Sequence, residues 1–409
     1  MSCERRPKPF YKAIIAGPED VKPSSDDMKV IGVFNPGATT TGFADSGETV
    51  LSLRVAEAPA EIPDIGFLFS ELIEYPVDNP KHNVLLPYFD VQNCENSPFK
   101  IRFDCIRTDE VDEITKKHVC LGNDCIRLRH VSHQRFARSP DGKSIGSIDK
   151  SPSFYPEWEH EKFGIEDTRI TRINDQYLIT YVSPHREYGV STSIAITADF
   201  GHIQRLPLDE NPKHILTGMK DVAIFPEPFS SDDPDSEYQF GALVRPSDFP
   251  CICRPGVWVS FSPDKSLKYW GGDRRIIFTE NGEITGTGPP MVMIEDEDGP
   301  MWLSFYHIIN KKQDEEGGGL VYDEAIFATD YKKPWELKYK SPVVMEHGEF
   351  DIGPGFVHDV CYTTGMIRDD GVIRAYSGEN DTYTSVRFFY EKDLMRFLKG
   401  RKVTAVSVP

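Results

Sequence analysis

The sequence predicts an all-β protein, folded as a single five-bladed β-propeller. Helical periodicity is scarce, and clusters of Gly, Pro, Asp and Asn separate short apolar segments, which is the pattern of all-β chains. Strand-like segments recur over the 409 residues, namely 49–55, 177–182, 193–197, 238–244, 256–261, 301–306, 324–328 and 372–376.

A weak internal repeat is the observation that favours a propeller. A strand ending in a small residue is followed by an Asp-containing turn at Asp141, Asp199, Asp264, Asp330 and, loosely, Asp393. These aspartates are 58, 65, 66 and 63 residues apart, which is longer than the roughly 40–50 residues of common blade families. Because a blade holds about four short strands, five repeats predict five blades. A two-sheet sandwich is the alternative, but it does not predict the regular spacing.

Two segments depart from the repeat. Residues from about 59 to 127 read as an insertion between strands of the first blade, and residues 391–400 have the apolar spacing of a short terminal helix. We therefore expect one domain over residues 1–409, with this insertion and this C-terminal helix.

The composition limits the partners. The formal net charge is -19, which argues against nucleic acid and against an anionic membrane surface, since both attract basic proteins. Together with 11% aromatic residues, this acidity fits a neutral, polar ligand such as a sugar. A phosphate ligand would need a local basic pocket within this negative field.

Localisation and metal binding are also addressed by the sequence. No run approaches the roughly 18 apolar residues of a membrane span, and no signal peptide is recognised at the N-terminus. The eight cysteines are scattered without C-x-x-C spacing. We expect reduced thiols, a cytoplasmic protein and no metal site, because the histidines are dispersed as well.

The segment Glu166-Asp167-Thr168-Arg169 is the strongest candidate for chemistry. It places two carboxylates and a guanidinium immediately before a predicted strand. A carboxylic acid in such a position can protonate a leaving oxygen, and an arginine can hold a neighbouring carboxylate ionised. An Asp–Arg pair that only fixes a loop is the alternative for this motif taken alone.

Polar residues near predicted strand ends of successive blades extend the candidate set. In a propeller such residues converge on the central channel. A buried arginine such as Arg54, inside an apolar strand, needs a partner, whereas His307 taken alone fits a core histidine better than a ligand. The candidates are Asn35, Arg54, Glu57, His133, Arg135, Lys220, Asp221, Arg245, His307, Asp359 and Asp381.

These motifs, in this order, resemble glycoside hydrolase family 130, the β-mannoside phosphorylases and β-1,2-mannosidases. The resemblance covers about residues 30–385. It rests on residues 34–38 (FNPGA), 53–55 (LRV), 164–170 (GIEDTRI), 220–227 (KDVAIFPE), 245–246 (RP), 288–290 (GPP) and 306–307 (YH).

The resemblance implies a five-bladed propeller and inverting cleavage of a terminal β-mannosidic bond. Asp167 matches the proton donor of the family, which acts through a sugar hydroxyl. Inorganic phosphate is then the co-substrate, no other cofactor is expected, and the product is mannose 1-phosphate. The predicted phosphate ligands are Arg54, Arg135, Lys220 and His307. The predicted sugar ligands are Asn35, Arg54, Glu57, Glu166, Arg169, Asp221, Arg245, Asp359 and Asp381.

The sequence leaves phosphorolysis and hydrolysis open, with phosphorolysis favoured because the basic residues are retained. We predict an enzyme, a glycosyltransferase of the phosphorylase type acting on β-linked manno-oligosaccharides. Glu227 or Glu379 is the candidate base if water is the nucleophile. A non-catalytic sugar-binding propeller and a sialidase are further alternatives, although no arginine triad for a sialidase can be assembled. The linkage, the acceptor and formation of a homo-oligomer stay open.

Overall fold

The computed structural model describes part of the chain, and all structural statements below concern that part. The described residues are 5–400 except 43–46, 61–82, 92–99, 108–109, 115–117, 122–124, 186–188, 207–215, 230–239, 248–255, 263–266, 268–269, 271–273, 280–283 and 312–319. Strands dominate, and one α-helix is found among these residues, which confirms the predicted all-β class. No described helix has the length and apolarity that crossing a membrane would require.

Sheet 1 is built from the N-terminal part of the chain, and one long segment interrupts the sequence of its strands. Strand β1 (Tyr11–Ala16) precedes it and pairs elsewhere, as described below. Sheet 1 has the order β10-β9-β3-β2. Its strands are β2 (Met28–Thr40), β3 (Thr49–Pro59), β9 (Val131–Ser139) and β10 (Ser147–Ile148). Between β3 and β9, the chain forms five strands that belong to other sheets: β4 (Asn83–Phe89), β5 (Ile101–Arg107), β6 (Val111–Ile114), β7 (His118–Leu121) and β8 (Cys125–Leu128).

The interruption coincides with the segment that the sequence predicts as an insertion. Strand β3 pairs directly with β9 along its whole length, so the intervening chain leaves and re-enters the same sheet. Within it, β4 pairs with β5, and β6, β7 and β8 form a three-stranded sheet.

Sheets 2, 3 and 4 each follow the same antiparallel plan. Sheet 2 contains β11 (Glu166–Ile173), β12 (Gln176–His185), β13 (Gly189–Thr197), β14 (Gln204–Leu206) and β15 (Leu216–Thr217). Sheet 3 contains β16 (Met219–Ile224), β17 (Phe240–Pro246), β18 (Val257–Ser262) and β19 (Arg274–Phe278). Sheet 4 contains β20 (Ile284–Thr287), β21 (Val292–Asp296), β22 (Gly299–Lys311), β23 (Leu320–Asp330) and β24 (Leu337–Met345).

Sheet 5 joins the two ends of the chain. It contains β25 (Cys361–Asp369), β26 (Val372–Glu379) and β27 (Tyr383–Tyr390), and β1 completes it by pairing with β27. Helix α1 (Glu391–Lys399) follows, within the predicted helical segment. Its buried face, Leu394, Met395, Phe397 and Leu398, packs on the apolar cluster between sheets 4 and 5.

The apolar core is divided among the gaps between neighbouring sheets. Separate clusters lie between sheets 1 and 2, 2 and 3, 3 and 4, 4 and 5, and 5 and 1. The strands that begin the sheets also contact one another: β2 contacts β11, β11 contacts β16 and β16 contacts β20, while β25 contacts both β22 and β2. Each sheet therefore packs on the next one, and the fifth packs on the first.

The aspartate turns occupy one structural position. Asp141 and Asp199 lie just after β9 and β13, and Asp330 ends β23. Each carboxylate accepts hydrogen bonds of 2.8–3.0 Å from backbone N–H groups two and three residues on. Such turns stabilise a sharp strand connection. Asp264 lies outside the described residues. The fifth match is wrong, because Asp393 lies in the first turn of helix α1, and sheet 5 takes β1 as its outer strand.

Candidate active site

Residues with positive φ recur where the sheets meet. Asn35 on β2, Asp167 on β11 and Asp221 on β16 have φ of 48°, 48° and 56°, and Asp359 just before β25 has 60°. The first three lie at register shifts of their strands. Bulges of this kind turn a side chain out of the regular pleat. Asn and Asp tolerate the left-handed region better than bulkier residues, which explains why these residue types occur there.

Asp167 is held by two partners from sheet 1. Its Oδ1 accepts a 2.8 Å hydrogen bond from Nδ2 of Asn35 and a 2.7 Å hydrogen bond from Arg54. The other terminal nitrogen of Arg54 lies 2.6 Å from Glu166, and its Nε donates to Ser132. Arg54 thus bridges two adjacent carboxylates, whose side chains remain 13% and 18% exposed.

This arrangement determines the charge of Asp167. Burial raises the pKa of the carboxyl, but the positive charge of Arg54, the hydrogen bond from Asn35 and the charge of Arg169 outweigh it, so the pKa lies below its ordinary value. The pKa of Arg54 is raised despite its burial, because Glu166, Asp167 and Asp381 surround it. Asp167 is therefore ionised in the ligand-free protein at neutral pH.

Arg169 connects Asp167 to the next sheets. Its guanidinium donates to the backbone carbonyl groups of Asp167, Thr287 and Gly288 at 2.7–3.3 Å. It also lies 3.3 Å from Oδ1 of Asp221 and donates a 2.7 Å hydrogen bond to the hydroxyl of Tyr362. With its side chain 1% exposed, Arg169 links elements of the site and offers no open face to a ligand.

Asp221 gathers a second group of cationic and aromatic side chains. Nε of Arg245 lies 2.7 Å from its Oδ2, and the Tyr362 hydroxyl donates a 2.6 Å hydrogen bond to its Oδ1. Nε2 of His307 lies 3.6 Å from Oδ2 of Asp221 and 3.5 Å from a terminal nitrogen of Arg245. Burial raises the pKa of Asp221, but the charges of Arg245 and Arg169 and the hydrogen bond from Tyr362 lower it to well below its ordinary value.

His307 is neutral in this environment. Burial lowers its pKa to about 3, and the charges of Arg245 and Arg169 act in the same direction against the opposing effect of Asp221. Its Nδ1 is buried without a hydrogen-bond partner in the described part of the chain. His307 therefore contributes a polar ring to the site and no positive charge.

Lys220 has a lowered pKa, because burial and the nearby Arg245 disfavour its charged form. Three carboxylates, those of Asp221, Glu166 and Asp167, raise the pKa of Lys220 in opposition to these effects. The ammonium group therefore lies within electrostatic reach of all three. We call the set Asn35, Arg54, Glu166, Asp167, Arg169, Lys220, Asp221, Arg245, His307 and Tyr362 the Asp167 cluster.

Two further predicted sugar ligands are Asp381 and Asp359. Asp381 is close enough to Arg54 to raise its pKa, and its φ is 47°. Asp359 lies further out, with Oδ1 3.8 Å from Nε2 of His347 and its side chain 27% exposed. Neither side chain is fully buried.

Glu57 and Arg135 need correction, because they lie on the other face of sheet 1. Arg54 is paired with Gln134, whereas Leu53 is paired with Arg135 and Val55 with His133. Side chains alternate between the two faces of a sheet, so Glu57, His133 and Arg135 point away from Arg54. Neither the predicted sugar contact of Glu57 nor the predicted phosphate contact of Arg135 fits this geometry.

These residues form a closed group of their own, the Glu57 cluster of Ser24, Glu57, His133 and Arg135. Glu57 lies 3.0 Å from Nε2 of His133 and accepts hydrogen bonds from the backbone N–H and hydroxyl of Ser24. Arg135 donates to the backbone carbonyls of Lys22 and Lys150 at 2.8 Å. These contacts hold the sheet together.

The two candidate bases for hydrolysis also need correction. Glu379 is 1% exposed and is bound by Arg387 and Ser385 at 2.6 Å, so it is held within sheet 5. Glu227 is exposed, bonded to the hydroxyl of Tyr331. No hydrogen bond or ion pair links it to the Asp167 cluster within the described part of the chain.

Sequence reasoning missed Tyr362, and the structure shows why position 286 needs a glycine. Tyr362 lies between Asp221 and Arg169 and stacks edge-on against His307 with ring centroids 4.9 Å apart. A Cβ atom added at Gly286 would overlap the His307 ring and lie 2.5 Å from Oδ2 of Asp221. Residues 286–290, Gly-Thr-Gly-Pro-Pro, indicate such a close approach in the sequence, whereas nothing in the local sequence marks Tyr362.

Candidate metal ligands were sought among the described residues. One group, Glu113, His118 and Cys120, has donor atoms close enough to share an ion, and it lies in the insertion. The sequence predicted no metal site because its histidines are dispersed. The three side chains come together through the pairing of β6 with β7.

Comparisons with known proteins identify the family of this chain. The profile of glycoside hydrolase family 130, described as beta-1,4-mannooligosaccharide phosphorylase, matches residues 132–400. The beta-1,2-mannobiose phosphorylase of Listeria innocua is 30% identical over 368 residues, which cover 89% of this chain and 90% of that protein. A 1,2-beta-oligomannan phosphorylase of Thermoanaerobacter is 25% identical over 278 residues, covering 65% and 81%.

Solved structures give the same assignment. The complex of the Listeria innocua enzyme with beta-1,2-mannobiose matches with a TM-score of 0.71 and 27% identity, covering 94% of this chain and 97% of that one. A mannose phosphorylase from Leishmania mexicana, in complex with a phosphate ion, shares the fold with a TM-score of 0.51 at 11% identity, covering 96% and 91%. The family profile and the Listeria relative confirm the resemblance seen in the motifs, and the chain belongs to glycoside hydrolase family 130.

Proposed function

We propose that this protein is a β-mannoside phosphorylase, which transfers a terminal mannosyl group to inorganic phosphate. The observation that carries the proposal is the charge around Asp167. Lys220 lies within electrostatic reach of it, and Arg245 lies near Lys220 and is paired with Asp221. Of the predicted bases for water, Glu379 is bound by Arg387 within sheet 5 and Glu227 is bonded to Tyr331. Phosphorolysis needs no second carboxylate, because phosphate is itself the nucleophile.

The cationic groups supply the local basic pocket that a chain of net charge -19 needs for phosphate. Lys220 and Arg245 bring positive charge, and neutral His307 brings a ring nitrogen. Arg54 is engaged by Glu166 and Asp167, so we assign it to orienting the acid. Arginine and lysine donors to phosphate form short, charge-assisted hydrogen bonds.

Asp167 then acts as the proton donor. It is ionised in the free protein, but a phosphate anion bound nearby disfavours a second negative charge and raises its pKa. In the reaction, a phosphate oxygen bonds to the anomeric carbon while the bond to the glycosidic oxygen breaks. The proton of Asp167 reaches that oxygen through a sugar hydroxyl. Attack from the opposite face inverts the anomeric centre and gives mannose 1-phosphate.

We further propose that the five sheets are the blades of a five-bladed propeller with the Asp167 cluster at its centre. The packing of each sheet on the next, and of the fifth on the first, supports this arrangement. So does the recurrence of positive-φ Asn or Asp residues where the first strands meet. Closure by β1 on β27 resembles the way such folds protect their edges.

The substrate we propose is a β-linked manno-oligosaccharide, with β-1,2-mannobiose as the first to test. The names of the relatives from Listeria innocua and Thermoanaerobacter support the β-1,2 linkage, whereas the family profile carries a β-1,4 description. Free thiols at Cys105, Cys120 and Cys361 support a reducing compartment such as the cytoplasm.

The test is a product assay. The protein is incubated with β-1,2- or β-1,4-mannobiose, with and without phosphate, and mannose 1-phosphate is separated from mannose, with Asp167→Asn as the control for contaminating activity. We expect mannose 1-phosphate and mannose in equal amounts from one linkage, and no cleavage without phosphate. Rapid release of mannose alone, unchanged by phosphate, would establish the β-1,2-mannosidase alternative. No cleavage of either sugar would favour a non-catalytic sugar-binding protein.

A further inference from the structure

Three different metal-binding side chains meet on one face of the insertion's three-stranded sheet. Glu113 on β6 is paired directly with Cys120 on β7. His118 precedes Cys120 by two residues on the same strand and therefore points to the same face. The ligand atoms of all three residues lie within 4.8 Å of one another, and Sγ of Cys120 lies 3.8 Å from Oε2 of Glu113.

The opposite face of this sheet fixes the position of the trio. Val119 is fully buried and packs with Val111 and Leu121 against Val84 and Leu86 of β4. Glu113, His118 and Cys120 alternate with those residues and so face away from the apolar contact, where an ion can reach them.

We propose that Glu113, His118 and Cys120 bind one zinc ion, with water as the fourth ligand. Zn²⁺ takes thiolate, imidazole and carboxylate ligands at about 2.0–2.3 Å in a tetrahedron, which places the donor atoms roughly 3–4 Å apart. Side-chain rotation alone can therefore bring the three donor atoms, now within 4.8 Å of one another, to the spacing that zinc requires. The thiolate and imidazole favour zinc over Mg²⁺ and Ca²⁺, which prefer oxygen ligands.

Zinc at this position joins β6 to β7. Binding requires loss of the Cys120 proton, so the carboxylate and thiolate that would repel each other share a divalent charge. The site is separate from the Asp167 cluster in sequence and in sheet. Its presence or absence is therefore independent of the proposed phosphorylase activity.

The test uses the full chain without an affinity tag, with its thiols reduced. Zinc binding is measured by competition with a chromophoric chelator, and Co²⁺ is added separately to look for the charge-transfer absorption of a cobalt–thiolate bond. We expect one tight equivalent of zinc and a charge-transfer band, both lost in Cys120→Ser and both retained in Cys105→Ser. His118→Ala should weaken binding by more than the roughly 10–100-fold that follows loss of an outer-shell partner.

Cys105→Ser is the matched control because Cys105 is a free, half-buried thiol in the same insertion. If Cys120→Ser does not fold, Glu113→Gln, which keeps the shape of an exposed side chain, replaces it, and its zinc affinity should fall. Absence of a tight equivalent, or a tight equivalent that persists in Cys120→Ser or Glu113→Gln, would overturn the proposal.

Discussion

Two arginines on paired strands of sheet 1 show how the fold separates chemistry from support. Arg54 on β3 contacts Asp167 and Glu166, whereas Arg135 on β9 lies 3.8 Å from Glu57 and bonds to backbone carbonyls. Both are buried, both have acidic neighbours and both were predicted to bind phosphate. Only the face of the sheet differs. Residue type therefore does not distinguish an arginine that can bind a ligand from one that forms a structural ion pair. The face of the sheet on which the side chain lies does distinguish them.

The two clusters differ in access as well as direction. In the Asp167 cluster, Asp167, Glu166 and Arg245 keep 18%, 13% and 13% of their side-chain surface exposed. In the Glu57 cluster, Glu57, His133 and Arg135 keep 0%, 0% and 2%. A ligand can reach the first group without unfolding the sheet, and it cannot reach the second. This contrast makes the clusters separable by experiment.

The largest effect is expected for Asp167→Asn. The amide keeps the shape and the hydrogen bond to Asn35 but removes the ionisable proton source, and general acid catalysis contributes roughly 10²–10⁴-fold. The rate of mannose 1-phosphate release should fall by that factor, with the thermal unfolding curve still cooperative. A variant with near-normal turnover would remove Asp167 from the mechanism.

Matched substitutions in the two clusters test their separation. Arg135→Met breaks a fully buried group of contacts and should lower the free energy of unfolding by about 3–5 kcal/mol, as removal of one buried ion-pair partner does. At a temperature where the variant remains folded, its KM for phosphate should stay unchanged. Urea unfolding and initial-rate kinetics on the same preparation provide both readouts.

Lys220→Met is the counterpart in the Asp167 cluster. Loss of one charge-assisted contact costs about 1.5–3 kcal/mol, so kcat/KM for phosphate should fall by roughly 10–150-fold. Stability should change little or increase, because a buried ammonium with a lowered pKa is removed. Equal phosphate kinetics in Lys220→Met and wild type would place phosphate elsewhere.

A smaller effect is expected for Tyr362→Phe. It removes the hydroxyl that bonds both Asp221 and Arg169, and leaving a buried partner without its hydrogen bond costs about 1–3 kcal/mol. Because Tyr362 acts through Asp221 on Arg245 and His307, we expect a raised KM for phosphate with an unchanged KM for the sugar. Tyr376→Phe is the control, since its hydroxyl bonds to the carbonyl of Gly142 outside both clusters. It should affect stability only.

The pH dependence of stability should be similar for both clusters. The pKa values of Asp167, Asp221 and Glu57 are lower in the folded protein than in the unfolded chain. Each therefore contributes stability at pH values above its unfolded pKa of about 4 and loses that contribution as the pH falls further. Urea unfolding between pH 7 and pH 3 should show stability decreasing on the acid side. An increase there would contradict the direction of these shifts.

Local features of the fold and site could be predicted from the sequence, whereas features that depend on contacts between distant segments could not. Alternating strands and aspartate turns predicted the all-β class, and the Glu-Asp-x-Arg motif led to Asp167. The side of the sheet on which Glu57 and Arg135 lie depends on the register of β3 with β9, across an insertion of about 70 residues. Tyr362 was missed because its partners Asp221 and Arg169 are 141 and 193 residues away in the chain. The pairing of Glu379 with Arg387 likewise appears only in the folded sheet.

The central claim is that phosphate binds to the Asp167 cluster, and calorimetric titration of phosphate into the protein tests it most directly. Wild type, Lys220→Met and Arg135→Met are titrated under the same conditions, at a temperature where all three are folded. We predict one phosphate site in wild type and in Arg135→Met with equal affinity, and a roughly 10–150-fold weaker site in Lys220→Met. Weakened binding in Arg135→Met with unchanged binding in Lys220→Met, or no phosphate binding in wild type with or without mannobiose, would contradict the account.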